Sequence, residues 1–169
     1  MPTAKTRMNR LFWQALFAFL ALPGIVAFGV PLLVLAPSRF FDPFGLIPLA
    51  VGVVLLLLCV REFYVAGDGT LAPWAPPRAL VVTGLYRYSR NPMYIAVVLV
   101  LAGWALGSGS RFLTIYAIAV TLAFHLRVVV GEEPWLSRTY GEKWANYRDQ
   151  VPRWIQLRRR PIGRGQPAS

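Results

Sequence analysis

Uncharged stretches long enough to cross a bilayer constrain this chain more than any other feature. Leu11 to Ala36 carries no charge over 26 residues, about 39 Å of helix at about 1.5 Å per residue. Phe44 to Val60 is uncharged for 17 residues and can run on past Arg61 and Glu62 to Ala66. Met93–Gly107 and Phe112–Leu126 are shorter uncharged blocks, separated by Gly107-Ser108-Gly109-Ser110-Arg111, a tight helical-hairpin turn by composition. Lipid offers no water to backbone N–H and C=O groups, so each block must satisfy them internally as a helix. The expectation is an all-α polytopic membrane protein with about four transmembrane helices in two hairpins. A composition that is 56% hydrophobic and a mean hydropathy of +0.50 agree, since soluble domains run lower.

The net charge of +11 would suit a nucleic-acid partner, but its placement argues against one. With the N-terminus inside, 16 of the 18 Lys and Arg fall on inner segments, and only Arg39 and Arg111 fall outside. That is the positive-inside asymmetry, and it predicts cytoplasmic N- and C-termini in a bacterial plasma membrane. Arg158, Arg159, Arg160 and Arg164 would lie against anionic head groups, each contributing about 1 kcal/mol. The first block is too long for a cleaved signal peptide and reads as a retained helix, kinked at Pro23 and Pro31. Cys59, the sole cysteine, reads as a small packing residue, and no cysteine metal cluster is possible.

A single integral domain is expected over residues 1–160, with a disordered tail at 161–169. Between the hairpins an inner loop runs from Gly67 to Arg90, held extended by Pro73, Pro76 and Pro77. Trp135, Leu136, Tyr140, Trp144 and Tyr147 recur at helical spacing within 132–147, which predicts an amphipathic helix with its rings at head-group depth. Regular structure is expected to stop at Val151-Pro152.

Two polar clusters interrupt this apolar pattern. Arg90-Asn91-Pro92-Met93-Tyr94 opens the third block. Pro92 suits the first helical turn, Asn91 occupies the N-cap position, and free first-turn amides can receive a carboxylate. Glu132-Glu133 closes the fourth block. Adjacent helical residues point about 100° apart, so one carboxylate is expected to meet a cationic ligand group while the other serves as a structural or surface partner. His125, the only histidine, is expected to bond a neighbouring helix, and one His without thiols makes no metal site.

In order, Leu80-Val81, Gly84-Leu85-Tyr86, Arg90-Asn91-Pro92-Met93-Tyr94, Glu132-Glu133, Gly141, Tyr147 and Val151-Pro152 resemble the isoprenylcysteine carboxyl methyltransferase family, which groups with phospholipid N-methyltransferases. The match covers residues 68–154, and the first hairpin matches only as apolar spans. The resemblance implies an S-adenosyl-L-methionine-dependent methyltransferase acting on a lipophilic or lipidated acceptor among membrane lipids, with no metal and no nucleic acid. It implies a cofactor pocket on the cytosolic side from Arg78, Ala79, Leu80, Val81, Tyr86, Asn91, Pro92, Met93, Tyr94, Glu132 and Glu133. Glu132 would take the cofactor's ammonium, the amides at Asn91–Tyr94 its carboxylate, and Tyr86 its adenine. Arg127 and Arg90 are the candidate catalytic cations.

The family's substrate-holding Arg precedes the ligand Glu by four residues. Here that position is Val128, and Arg127 lies one step earlier, about 100° around an α-helix. The strip before Leu80-Val81, often begun by His in the family, begins here with Arg78. These departures leave carboxylate recognition to Arg127, which favours a prenylcysteine-like carboxylate acceptor, with a phospholipid or other amine as the alternative. A non-catalytic membrane protein would account for the spans and the charge asymmetry but not for the ordered motifs.

Overall fold

The computed structural model describes residues 20–35, 41–66, 80 and 82–155. Arg78, Ala79, Val81, most of the proline-rich loop and the tail beyond 155 lie outside the described residues, as does the start of the first apolar block. A π-wound stretch, Leu20–Gly29, contains Pro23 and continues as α1 (Val30–Leu35). Proline has no N–H to donate, and Pro23 lies inside this π winding, which gives way to α winding at Val30. A short 3-10 turn, Pro43–Gly45, leads into α2 (Leu46–Ala66). Beyond a second 3-10 turn, Gly84–Arg87, come α3 (Pro92–Ser108) and α4 (Arg111–Leu126). A π-helical turn, Arg127–Glu132, carries α4 into α5 (Glu133–Tyr140), and α6 (Glu142–Gln150) follows. The described residues contain no strand.

Two of the helices are long and apolar enough to cross a membrane, Pro43–Glu62 and Arg111–Tyr140. Pro23–Leu35 and Pro92–Ser108 are apolar but shorter. At 17 residues, α3 reaches about 26 Å, somewhat less than a hydrocarbon core of about 30 Å. By length and composition the described residues thus carry two of the four expected spans. The second helix presents Phe112, Ile115, Ile118, Leu122, Leu126 and Val130 to its surroundings. Such an outward apolar ridge suits lipid and would be a liability in water.

Helices α2 and α3 pack backbone to backbone, and glycines make that possible. A Cβ at Gly52 would lie 2.7 Å from the Ala96 carbonyl oxygen and the Val100 nitrogen, and one at Gly45 would lie 2.4 Å from Gly107 Cα. Small residues let helices approach closely where lipid competes for every apolar side chain. Leu56, Ala96, Val97, Val100 and Leu101 fill the seam, joined by Ala27 from the first helical stretch. Gly52→Ala is expected to cost about 1–3 kcal/mol through overpacking. Gly131→Ala, where an added Cβ meets nothing within 4 Å, should be nearly neutral. Thermal unfolding of the two variants in detergent checks the contrast.

The α3–α4 connection is as tight as its composition predicts. Gly109 takes φ +63 and its N–H closes α3 onto the Ala105 carbonyl, while the Ser110 hydroxyl accepts from the Leu113 amide and caps α4. This short turn places the N-terminus of α3 and the C-terminus of α4 at the same end of the hairpin. The distal amphipathic segment departs from expectation. Gly141, at φ +53, breaks it into α5 and α6. Trp144 and Tyr147 on α6 are buried with Val151 against Leu80, Leu136 and Tyr140. Only the proximal ring, Trp135, stays exposed, and the far half packs on protein.

Candidate functional site

The two polar clusters, 38 residues apart in sequence, meet at the shared end of α3 and α4. Pro92 occupies the first turn of α3 and is buried there. Asn91 holds the N-cap position, but its side chain makes no capping bond. Its Nδ2 instead donates to the Arg153 carbonyl at 3.0 Å, and its amide donates to the Ser89 hydroxyl. Among the described residues, no side chain therefore caps the first turn of α3. Met93 turns into the helical core.

Tyr94, in the first turn of α3, carries the first half of the site. Its ring lies 4.4 Å from that of Phe124 on α4, and its hydroxyl donates to Glu132 Oε1. Arg127 Nε donates to the same oxygen at 2.8 Å and to the Tyr94 oxygen at 3.2 Å. In a regular α-helix, residues five apart sit about 140° from each other on the cylinder. The π turn narrows that separation, because its hydrogen bonds run from i to i+5 and bring such residues toward one side of the helix. The Glu133 amide donates to the Val128 carbonyl, five residues back, as this winding requires. Val128, at the position where the resemblance places an Arg, is buried instead. One extra residue per turn thus gives Arg127 the face it would otherwise lack.

Glu133 points elsewhere. Its carboxylate takes two hydrogen bonds from Arg153, Nε at 2.8 Å and Nη2 at 2.7 Å, and has Arg90 Nη1 at 3.0 Å. The Glu133 and Arg90 side chains are only 14% and 9% exposed. Arg90 also lies over the Trp144 ring, 5.4 Å from its centroid, a cation–π contact in a desolvated setting. Its Nε has no hydrogen-bond partner among the described residues, so burial lowers the guanidinium pKa against the attraction of Glu133. The hydrogen bonds that Arg153 donates to Glu133 raise its own pKa. Arg90, expected as a reacting-site cation, is held in this brace and not in the Tyr94–Arg127–Glu132 cluster.

The brace ties the segment after α6 to the motif. The Arg90 amide donates to the Pro152 carbonyl at 2.9 Å, the Ser89 hydroxyl to the Arg153 carbonyl at 3.3 Å, and the Tyr147 hydroxyl to the Tyr86 carbonyl at 2.7 Å. Tyr86 is buried, and that burial pushes its phenol pKa well above the ordinary value. Leu80 packs against Trp144, Tyr147 and Val151. Arg153, Phe124 and Trp144 were not anticipated from sequence as site neighbours. For Arg153 a signal existed, since a carboxylate buried at a helix end requires a cation from some other segment.

The end of α2 contributes as well. The Thr83 hydroxyl donates to Glu62 at 3.2 Å, and Gly84, at φ +54, passes so close that a Cβ there would sit 2.3 Å from Glu62 Cδ. The positive φ favours glycine here, and any larger residue would also have to push the Glu62 carboxylate aside. His125 is exposed, and its partner is Trp154, whose ring stacks at 6.0 Å, not a neighbouring helix.

The described residues are all-helical with outward apolar ridges, and they gather a hydroxyl, a guanidinium and a carboxylate at the end of one hairpin; this is the build of a helical membrane protein. The family model for phospholipid methyltransferase matches residues 43–143, well over half of the chain, and the chain belongs to that family. Membership implies methyltransferase activity in a membrane. An uncharacterized protein of Haemophilus influenzae is 27% identical over 63 residues, which is 37% of this chain and 100% of that protein. No solved structure matches the chain.

Proposed function

We propose that this chain is a membrane-embedded S-adenosylmethionine-dependent methyltransferase that esterifies a carboxylate on a lipophilic acceptor at the cytosolic face. Four helices span the bilayer in this reading. The shorter α3 shares the depth of α2 and α4 because it packs between them. The observation that carries the reading is the convergence of Tyr94, Arg127 and Glu132 beside a helix start that Asn91 leaves uncapped. The cofactor's amino-acid end needs an anion for its ammonium and N–H donors for its carboxylate. Glu132 offers the first and the opening turn of α3 the second, which also has the positive end of a helix dipole. Tyr86, fixed through its carbonyl by Tyr147, supplies an apolar wall for the base; the resemblance adds Arg78, Ala79, Leu80 and Val81 to the cofactor-binding residues.

The cofactor supplies an electrophilic methyl group on a sulfonium. The chain's own residues then orient, and they exclude water. An ionised carboxylate is already a nucleophile, so it needs no base; it needs a cation to hold it in line, which Arg127 provides. Orientation alone can supply many powers of ten in rate, and a low-dielectric surround favours a reaction that neutralises opposite charges. The family's phospholipid members favour a second reading, transfer to an amine head group, which would first require removal of an ammonium proton.

Lipid extract incubated with the full chain and isotopically labelled methyl donor distinguishes the two. The expected product releases its labelled methyl as methanol in mild alkali. Label that survives alkali on a nitrogen would replace the ester reading by the amine one, and absence of any labelled lipid would overturn both.

A further inference from the structure

We propose that Arg127 and the cofactor's ammonium exchange places on Glu132, so that cofactor binding delivers Arg127 to the anionic group of a lipid acceptor. The proposal rests on the methyltransferase reading above and adds how its two ligands communicate. Glu132 Oε1 already carries two donors, the Tyr94 hydroxyl and Arg127 Nε. An ammonium arriving at that oxygen competes with Arg127 for its lone pairs and repels the guanidinium. Arg127 is the group free to leave, since its side chain is 54% exposed against 33% for Glu132, whereas Tyr94 is held by its stack on Phe124.

The place Arg127 would move to is also defined. Leu126 and Val130, its neighbours on the helix surface, are exposed members of the apolar ridge. A long Arg stem can lie along such a ridge with its head at the membrane surface. A lipid chain lying against the ridge therefore presents its anionic head group to the released guanidinium. Carboxylate and phosphate share the chemistry, since both match the guanidinium fork. The π turn is what makes the exchange possible, because α-winding would keep Arg127 away from Glu132 altogether.

Two ligands linked through one side chain must help each other by the same factor. The test is calorimetric titration of S-adenosylhomocysteine, which retains the ammonium, into the full chain in phosphatidylcholine nanodiscs, with and without oleate or phosphatidic acid. The expected result is about fivefold or greater tightening with at least one of the two anionic lipids, retained in Arg138→Gln and lost in Arg127→Gln. In pure phosphatidylcholine, Arg127→Gln should bind S-adenosylhomocysteine at least as tightly as the parent chain, because a competitor for Glu132 has gone. Tightening by neither lipid would overturn the exchange. So would tightening that survives in Arg127→Gln, or that Arg138→Gln also abolishes, since either describes general surface charge. Tenfold weaker binding by Arg127→Gln in neutral bilayers would show that Arg127 merely props Glu132. If the parent chain binds no S-adenosylhomocysteine in any bilayer, the methyltransferase reading itself falls, and the exchange with it.

Discussion

Glu132→Ala is expected to weaken S-adenosylmethionine binding about thirtyfold or more while leaving the protein folded. Truncating one member of a desolvated charge pair costs about 2–5 kcal/mol, and a partly exposed site belongs at the lower end, where about 1.4 kcal/mol corresponds to each tenfold. The loss in fold stability should be small, because the pair it breaks, Glu132 with Arg127, is half open to solvent and such pairs contribute about 0–1 kcal/mol. Calorimetry with S-adenosylhomocysteine and a thermal melt on the same preparation measure the two quantities. Near-normal affinity in this variant would remove Glu132 from the cofactor site.

Glu133→Ala should do the opposite. It strands Arg90 and Arg153 beside each other with no counter-charge, and breaking one partner out of a buried pair costs about 3–5 kcal/mol. Arg153 is the more exposed of the two cations, with a side chain 35% accessible, so about 3 kcal/mol is expected. That is a large share of a total stability of about 5–15 kcal/mol. The loss should appear as a lowered melting midpoint and as proteolysis near Gly141, where α6 would come away from the Gly84–Asn91 loop. Glu133→Gln, which keeps an acceptor for Arg153 without the charge, should recover part of it. A stable Glu133→Ala protein that fails to bind cofactor, alongside a normal Glu132→Ala, would move the register of this helix by one residue.

These opposite outcomes for adjacent carboxylates mark where reading from sequence stops. That one glutamate would serve a ligand and the other a structural partner follows from about 100° of helical rotation. Which of them faces which partner depends on the winding of Arg127–Glu132, and nothing in Arg-Val-Val-Val-Gly-Glu distinguishes a π turn from an α turn. The same limit applied to Arg127. Counted along an α-helix it lay off the ligand face; the π turn brings it to Glu132. Asn91 was legible as a helix boundary but not as a bond to Arg153, because a boundary is local and its side-chain partner comes from 62 residues away.

What the order of residues determined alone was the set of local commitments. Uncharged runs had to be helices, Pro92 had to open one, and Gly109 with Ser110 had to turn the chain between two. Each depends on atoms within about one helical turn, so propensity and hydrogen-bond supply decide it. The Glu62 contact with Gly84, the folding back of Trp144 and Tyr147 onto the loop, and the division of Glu132 from Glu133 were decided only in three dimensions. Those arrangements depend on which charge is buried beside which, and desolvation is a property of the packed chain.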